Sequence, residues 1–436
     1  MWAYHEVFYQ IYPIGFCGAP LHNDGKTVSR IRRLDSWSAY LQDLGIGSIL
    51  LNPIFESDSH GYDTRDFKKV DCRLGTNEDF KFVCESLHSH HVKIMLDGVF
   101  NHVGRGFWAF RDVQEKKQAS SYKDWFHINF DGDSGYQDCF WYEGWEGHFE
   151  LVRLNLQNPA VVDYLLECAR FWIKEFDIDG LRLDVAYSLE HNFMRKLRSF
   201  CENVKPGFAL IGEVLFGDYN LIVNEEMLHS CTNYECYKGI FSSFNSMNMF
   251  EIAYSLNRQY GPEDWCLYRG KHLMSFVDNH DVTRIASILF NKAHLPLAYG
   301  ILFGMPGIPC IYYGSEWGAE GVKAPDNDYA LRPAFDEPHP NELTDFIRTL
   351  IAIRRKSDAL CSGGYRNVVI TNQQLIFERR TENEKIFVAV NASESQYTAC
   401  SKELRGNYTE LLINKEGTLS GSLDMPPYSV QFLLNL

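Results

Sequence analysis

Short apolar runs recur along the first four-fifths of the chain, at residues 7–12, 46–53, 92–99, 179–184, 209–213, 273–278 and 308–313. They are too short for helices and too continuous for half-exposed strands, so they read as strands buried on both faces. Between them the period lengthens to that of a helix with one apolar stripe, as at 77–91, 159–176 and 342–356. Strand alternating with helix predicts an α/β fold with a parallel sheet, and this many repeats predict a closed (β/α)8 TIM barrel. One strand of the eight, the sixth, is weakly marked, and Glu235-Cys236-Tyr237 is the candidate for it. The rhythm breaks twice. Between Asn101 and Leu156 the chain turns rich in aromatics and glycine, and an excursion that long inside a compact domain is usually functional. From about Cys361 short alternating strands at 374–380, 385–391, 408–413 and 429–434 predict an antiparallel β-sandwich. The expected division is a barrel over 1–100 and 157–358, an insertion over 101–156 after strand three, and a C-terminal sandwich over 359–436.

Composition narrows the class. A chain of 436 residues with 45% hydrophobic content can bury a large core and hold more than one domain. Its net charge of −15 argues against a nucleic-acid partner and against an anionic membrane surface. No segment is long and apolar enough to cross a bilayer. Met1 to Glu6 lack the basic head and apolar run of a secretory signal. The 12 cysteines are scattered without a Cys-x-x-Cys pair, several in apolar surroundings, which reads as reduced thiols and a cytoplasmic location.

Three apolar runs end in an acid: Gly180-Leu181-Arg182-Leu183-Asp184, Leu210-Ile211-Gly212-Glu213 and Phe276-Val277-Asp278-Asn279-His280-Asp281. A parallel barrel points all its strand C-termini at one face, so these acids can converge. Any one alone reads as a helix cap, but three together with Arg182, His102 and His280 point to acetal chemistry. Cleaving a glycosidic bond needs one carboxylate at the anomeric carbon and one protonated acid at the leaving oxygen. Arg182, two residues before Asp184, is expected on the same strand face, holding Asp184 ionised. Glu213 sits among Ala209, Leu210, Ile211, Val214, Leu215 and Phe216, and burial there raises its pKa toward that of a proton donor.

The order of motifs resembles the α-amylase family, retaining glycosidases on a (β/α)8 barrel. Phe8-Tyr9-Gln10-Ile11-Tyr12-Pro13 is similar to that family's first strand, Gly61-Tyr62-Asp63 to its sugar-platform loop and Asp97-Gly98-Val99-Phe100-Asn101-His102 to its third-strand motif. Arg153-Leu154-Asn155 resembles the short motif before strand four, and Gly304 to Glu316 the eighth strand. The resemblance implies Asp184 as nucleophile, Glu213 as acid/base and Asp281 as the third, transition-state carboxylate. It implies substrate contacts from Tyr62, His102, Arg182, His280, Asp328 and Arg332 in subsite −1. In secreted members the residue equivalent to Asn101 helps bind a structural calcium. The completing ligands are not evident here, so no metal and no cofactor is expected beyond that possibility, and a bracing hydrogen bond from Asn101 serves as well.

Val185-Ala186-Tyr187-Ser188 after the nucleophile, in place of a Lys-His pair, resembles the neopullulanase and cyclomaltodextrinase branch. That branch often carries a Trp where this chain has Leu215, and an N-terminal β domain that is not evident here. The expected activity is hydrolysis of α-1,4 bonds in maltooligosaccharides or related α-glucans. A glucanotransferase, an α-1,6-acting glucosidase and a catalytically silent binding subunit stay open as alternatives, and nothing bears on oligomeric state. Among the tryptophans most are expected in the core, with Trp108, Trp141 and Trp145 equally divided between core and sugar contact. His88, His90 and His91 lack partner acids in sequence and read as a solvated face.

Overall fold

The computed structural model describes residues 1–436. Eight parallel strands form the central sheet: β1 (Phe8–Ile11), β2 (Ser48–Leu51), β3 (Lys93–Gly98), β4 (Gly180–Leu183), β5 (Ala209–Gly212), β6 (Ser230–Cys231), β7 (Met274–Phe276) and β8 (Ile308–Tyr312). Their order is β6-β5-β4-β3-β2-β1-β8-β7, and a parallel bridge from Thr232 to Met274 closes the cylinder. The pleat sorts each strand into two faces. Tyr9, Ile49, Leu51, Ile94, Leu96, Leu181, Leu183 and Ile311 point outward into the large core beneath the helices. Phe8, Leu50, Met95, Ala209, Ile211, Met274, Phe276, Ile308 and Cys310 point inward and fill the barrel. Gly180 belongs to this inner layer, where a Cβ would lie 2.7 Å from the Met95 side chain. Met1, Trp2 and Tyr4 pack beneath the layer, and the Trp2 indole donates to the Gly207 carbonyl.

Two residues further along the same inward face the chemistry changes. Phe8 is followed by Gln10, Leu50 by Asn52, Met95 by Asp97 and Ile211 by Glu213, all of them buried. The apolar layer is the floor on which a polar layer rests.

The sixth strand is Ser230–Cys231 rather than Glu235 to Tyr237. Asn233 caps the helix Tyr234–Asn245 by accepting from the Cys236 N–H, so the expected strand residues form that helix's first turn. A two-residue strand leaves almost no periodic signal. After β3 the chain makes its excursion through the antiparallel strands His102–Gly104, Gly144–Trp145 and His148–Arg153. His88 also departs from the solvated reading: its Nε2 lies 3.0 Å from the Asp179 carboxylate, an acid 91 residues away in sequence.

The C-terminal segment contains β9 (Gly364–Ile370), β10 (Gln374–Arg380), β11 (Lys385–Asn391), β12 (Tyr397–Glu410), β13 (Lys415–Met425) and β14 (Ser429–Asn435), in the order β9-β10-β11-β14-β12-β13. The sandwich is this one antiparallel sheet folded over. A register slip between Cys400 and Arg405 bends β12, and Ile376, Phe387 and Leu433 then meet Ala399, Leu404, Leu419 and Leu423 across a second core. Phe377, Val388 and Phe432, on the opposite face, join the main core, where Gly304 in the helix Leu295–Gly304 lies under Val388. All 12 thiols are free.

One buried acid outside the polar layer has its pKa raised by this packing. Glu316 follows β8, with its Oε1 accepting from Tyr9 (2.6 Å) and Tyr40 (2.9 Å) and its buried Oε2 without a partner. Burial pushes its pKa up to about 7 against those two hydrogen bonds. A raised folded-state pKa means that this stabilisation is complete below the ordinary glutamate value and fades as pH rises through about 7. Glu316→Gln, which mimics the protonated acid, should therefore raise the melting temperature at pH 8, by on the order of 2 kcal/mol in stability, and change it little at pH 5. Calorimetry at the two pH values checks this.

Candidate active site

The polar layer is organised around Arg182. Its side chain, 3% exposed, sends Nη1 to both oxygens of Asp97 (2.8 Å each) and to Asp184 (3.2 Å), and Nη2 to Glu213 (2.6 Å). The sequence reading paired Arg182 with Asp184. In the structure three carboxylates from β3 and from the ends of β4 and β5 share it, and its contact with Glu213 is shorter than that with Asp184. Burial raises the pKa of both Asp184 and Glu213, and the charge of Glu213 pushes Asp184 higher still, against the pull of Arg182. One guanidinium cannot neutralise three buried anions, and burial raises the pKa of Asp97 too, so the cluster of Asp97, Asp184 and Glu213 favours holding a proton.

The backbone after β4 is strained to build this contact. Val185 has φ 40° and ψ 47°, a left-handed conformation unusual for a β-branched residue. The strain is offset by two bonds: Val185 N–H donates to Glu213 Oε2 (3.1 Å) and Ala186 N–H to the Glu213 carbonyl (2.9 Å).

Opposite lies Asp281, just after β7. His280 Nε2 (3.1 Å) and Arg332 (2.9 Å) reach its two carboxylate oxygens, and Arg332 also bonds Asp328 (3.0 Å) while lying 4.4 Å over the Tyr12 ring. Burial works against ionisation of Asp281, but His280, Arg332, Arg182 and Lys323 overcome it and hold the pKa below the usual range. Both histidines are neutral, their pKa values lowered to about 3 by burial. Gln10 donates to His280 Nδ1 (3.0 Å) and Asn101 to His102 Nδ1 (3.2 Å), which puts the proton of each ring on Nε2, where His280 meets Tyr62 and Asp281. His102 Nε2 has no protein partner and lies 3.8 Å from Asp184. Tyr62 donates to Asp97 (3.1 Å), hydrogen-bonds His280 and stacks on the His280 ring, with centroids 5.9 Å apart.

All nine sequence-predicted site residues thus face one another at the C-terminal end of the barrel. A family model described as the α-amylase catalytic domain matches residues 10–352, and the α-amylase C-terminal all-β domain matches 369–432. The chain belongs to the α-amylase family of glycoside hydrolases. It is similar to an intracellular maltogenic amylase of Bacillus subtilis, 31% identical over 89% of this chain and 68% of the relative. It is also similar to a cyclomaltodextrinase of Thermoanaerobacter pseudethanolicus, 31% identical over 97% and 76%. A solved cyclic α-maltosyl-(1→6)-maltose hydrolase of Arthrobacter globiformis, in complex with its cyclic sugar, superposes with a TM-score of 0.85 at 25% identity, covering 100% of this chain and 99% of that one.

Sequence reasoning missed three supporting residues of this α-amylase family site: Gln10, Asn52 and Asp97. Asn52 accepts from Gln10 (3.0 Å) and donates to Asp97 (3.1 Å), joining β1, β2 and β3 in one network. Their signal was available, since each lies two residues past an inward apolar residue. Of the tryptophans, Trp145 packs on His102 at 5.7 Å, whereas Trp108 sits in an aromatic cluster with Tyr122, Trp125 and Tyr164. Arg153, cross-strand from His102, lines one cavity with Asn101 and pairs with Glu143.

The neutral tautomers are directly measurable. In imidazole NMR spectra neither His102 nor His280 should titrate between pH 8 and 4.5, and both should carry the proton on Nε2. A midpoint near the ordinary histidine value, about 6.5, in either ring would contradict the assignment.

Proposed function

We propose that the enzyme is a retaining hydrolase of α-1,4-glucosidic bonds in maltooligosaccharides, with Asp184 as nucleophile, Glu213 as acid/base and Asp281 as the stabilising carboxylate. The observation that carries this is the single buried guanidinium shared by Asp184 and Glu213, which leaves one proton for the two. A glucose ring seated on Tyr62 would receive a hydrogen bond from the unpartnered His102 Nε2–H, and one from His280 Nε2–H in exchange for its contacts with Tyr62 and Asp281, while Arg332 and Asp328 close its non-reducing side. Once the shared proton has passed to Glu213, the ionised Asp184 attacks the anomeric carbon while Glu213 gives that proton to the departing oxygen. The glycosyl-enzyme then yields to a water that Glu213 deprotonates, and Asp281, held ionised, offsets the positive charge that develops at the anomeric centre. A sugar hydroxyl in place of water would give transfer. The exposed Phe216, packed on Tyr187 at 5.3 Å near both reacting strands, favours this as a second reading.

The names of the relatives, among them the cyclic sugar hydrolase, support small linear or cyclic α-glucans as substrates. No helix is long and apolar enough to cross a membrane. Twelve free thiols and the intracellular relative support a cytoplasmic location. We propose no calcium ion at Asn101. The Asn101 amide nitrogen is turned toward His102, and of the two carboxylates that line the same cavity, Glu143 and Glu146, the first is already paired with Arg153.

Asp184→Asn should lose roughly a thousandfold or more in kcat with an unchanged melting temperature. NMR of early products from the wild type should show the α-anomer first. Prompt β-anomer would rule out double displacement, and near-normal turnover by the variant would remove Asp184 from it.

Treatment with EDTA should leave both activity and melting temperature essentially unchanged. A large loss of either, reversed by calcium and not by magnesium, would show that Asn101 belongs to a metal site after all.

A further inference from the structure

Tyr62 stands on a loop with little scaffolding of its own. Residues 58–63 connect the strand Phe55–Ser57 to the strand Thr64–Val70, and the only backbone bond between residues of the segment runs from Asp58 N–H to the Asp63 carbonyl (3.2 Å). Local bonds shape its tip: Ser59 Oγ donates to Asp63 (2.6 Å), Gly61 N–H to the same carboxylate (3.2 Å) and Tyr12 to the His60 carbonyl (2.8 Å). Gly61 turns there with φ +90°, and its Cβ position lies 3.0 Å from Pro53, so no other residue fits easily. Among them only the Tyr12 bond, from the end of β1, ties the tip to the barrel, and the root of the loop needs an anchor of its own.

That role falls to a residue outside the loop. Arg73 lies in the turn between Thr64–Val70 and the helix Asn77–Ser89, with its side chain completely buried. Nη1 donates to the carbonyls of Ser59 (2.7 Å), Leu21 (2.6 Å) and Pro20 (3.0 Å). Nη2 donates to Ser57 Oγ (2.8 Å) and Asp71 (2.6 Å), and Nε to Asp71 (2.8 Å). Asp71 in turn accepts from the N–H and hydroxyl of Ser57 (3.1 and 2.9 Å). One guanidinium therefore clamps the root of the Tyr62 loop, its neck at Ser59, and the loop that follows β1. Glu56 and Cys72 lie close to Asp71, but both Asp71 oxygens are already spent on Arg73 and Ser57, so this cluster is an ion-paired clamp and not a metal site.

We propose that Arg73 is a positioning residue for the reaction, acting through the 58–63 loop to hold the Tyr62 ring in register with Asp97 and His280. The inference rests on the reading of Tyr62 as the platform for the −1 sugar. A planar fork is required, because an ammonium has three donors in a tetrahedral spread and cannot serve a carboxylate, a hydroxyl and three carbonyls together. A platform displaced by about an ångström costs on the order of a hundredfold in rate.

The test is a double-mutant cycle on maltotriose with Arg73→Lys and Tyr62→Ala, with melting temperatures measured alongside. Arg73→Lys should lower kcat/KM roughly ten- to a hundredfold, mainly in kcat, while in the Tyr62→Ala background it should cost less than about threefold. Equal losses in both backgrounds, or wild-type activity of Arg73→Lys, would overturn the proposal. Wild-type activity of Tyr62→Ala would instead overturn the platform reading, and the proposal with it. Should Arg73→Lys not fold, the neutral pair Asp71→Asn/Arg73→Gln, which leaves no buried charge unmatched, replaces it under the same criteria. Failure of both to fold would make Arg73 a residue of the fold and not of the reaction.

Discussion

The site depends on one buried cation. Arg182 stands in the polar layer of the barrel with Asp97, Asp184 and Glu213 around it, and no other cation contacts those three. Without it three carboxylates from neighbouring strands could not share a closed interior. With it there are still two positive charges too few, and that deficit is chemically productive. It favours a proton within the cluster above the usual carboxyl range, and under the proposed mechanism that proton lets one acid donate while the other attacks.

The remaining charges are disposed so as not to disturb that balance. Asp281 draws on Arg332 and His280, so it stays ionised across the cleft from the protonated pair. The two histidines are buried deeply enough to remain neutral, and amides from Gln10 and Asn101 decide which ring nitrogen carries the proton. They are donors in fixed directions rather than charges. The strained Val185 backbone joins the two halves of the pair, since its N–H is spent on the Glu213 carboxylate.

The apolar floor makes this polar layer affordable. Inward residues of successive strands fill the barrel to the level just below Gln10, Asn52, Asp97 and Glu213, and the N-terminal residues close it from beneath. The C-terminal sheet contributes through packing, with Phe377, Val388 and Phe432 seated on the helix that precedes β8. The excursion after β3 supplies His102 and Trp145 to the site, while its Trp125 is buried in an aromatic cluster beside the exposed Trp108.

Much of this was determined by the chain alone. The strand runs, the period of the helices and the acids at strand ends all follow from local pattern, and the structure brings these acids, with the residues that only the family resemblance implied, such as Tyr62, Asp328 and Arg332, to one end of one barrel. What local pattern could not carry was anything set by partners distant in sequence. The sixth strand is two residues long and exists because β5 and β7 flank it, while Glu235 to Tyr237 follow Asn233 into a helix. His88 found Asp179 only through the packing of a helix against the barrel. The sharing of Arg182 among three acids, the neutrality of His102 and His280, and the clamp at Arg73 depend on burial and on distances between strands. Sequence position determines which groups a chain possesses, but burial and separation determine their charge, and those are properties of the tertiary structure.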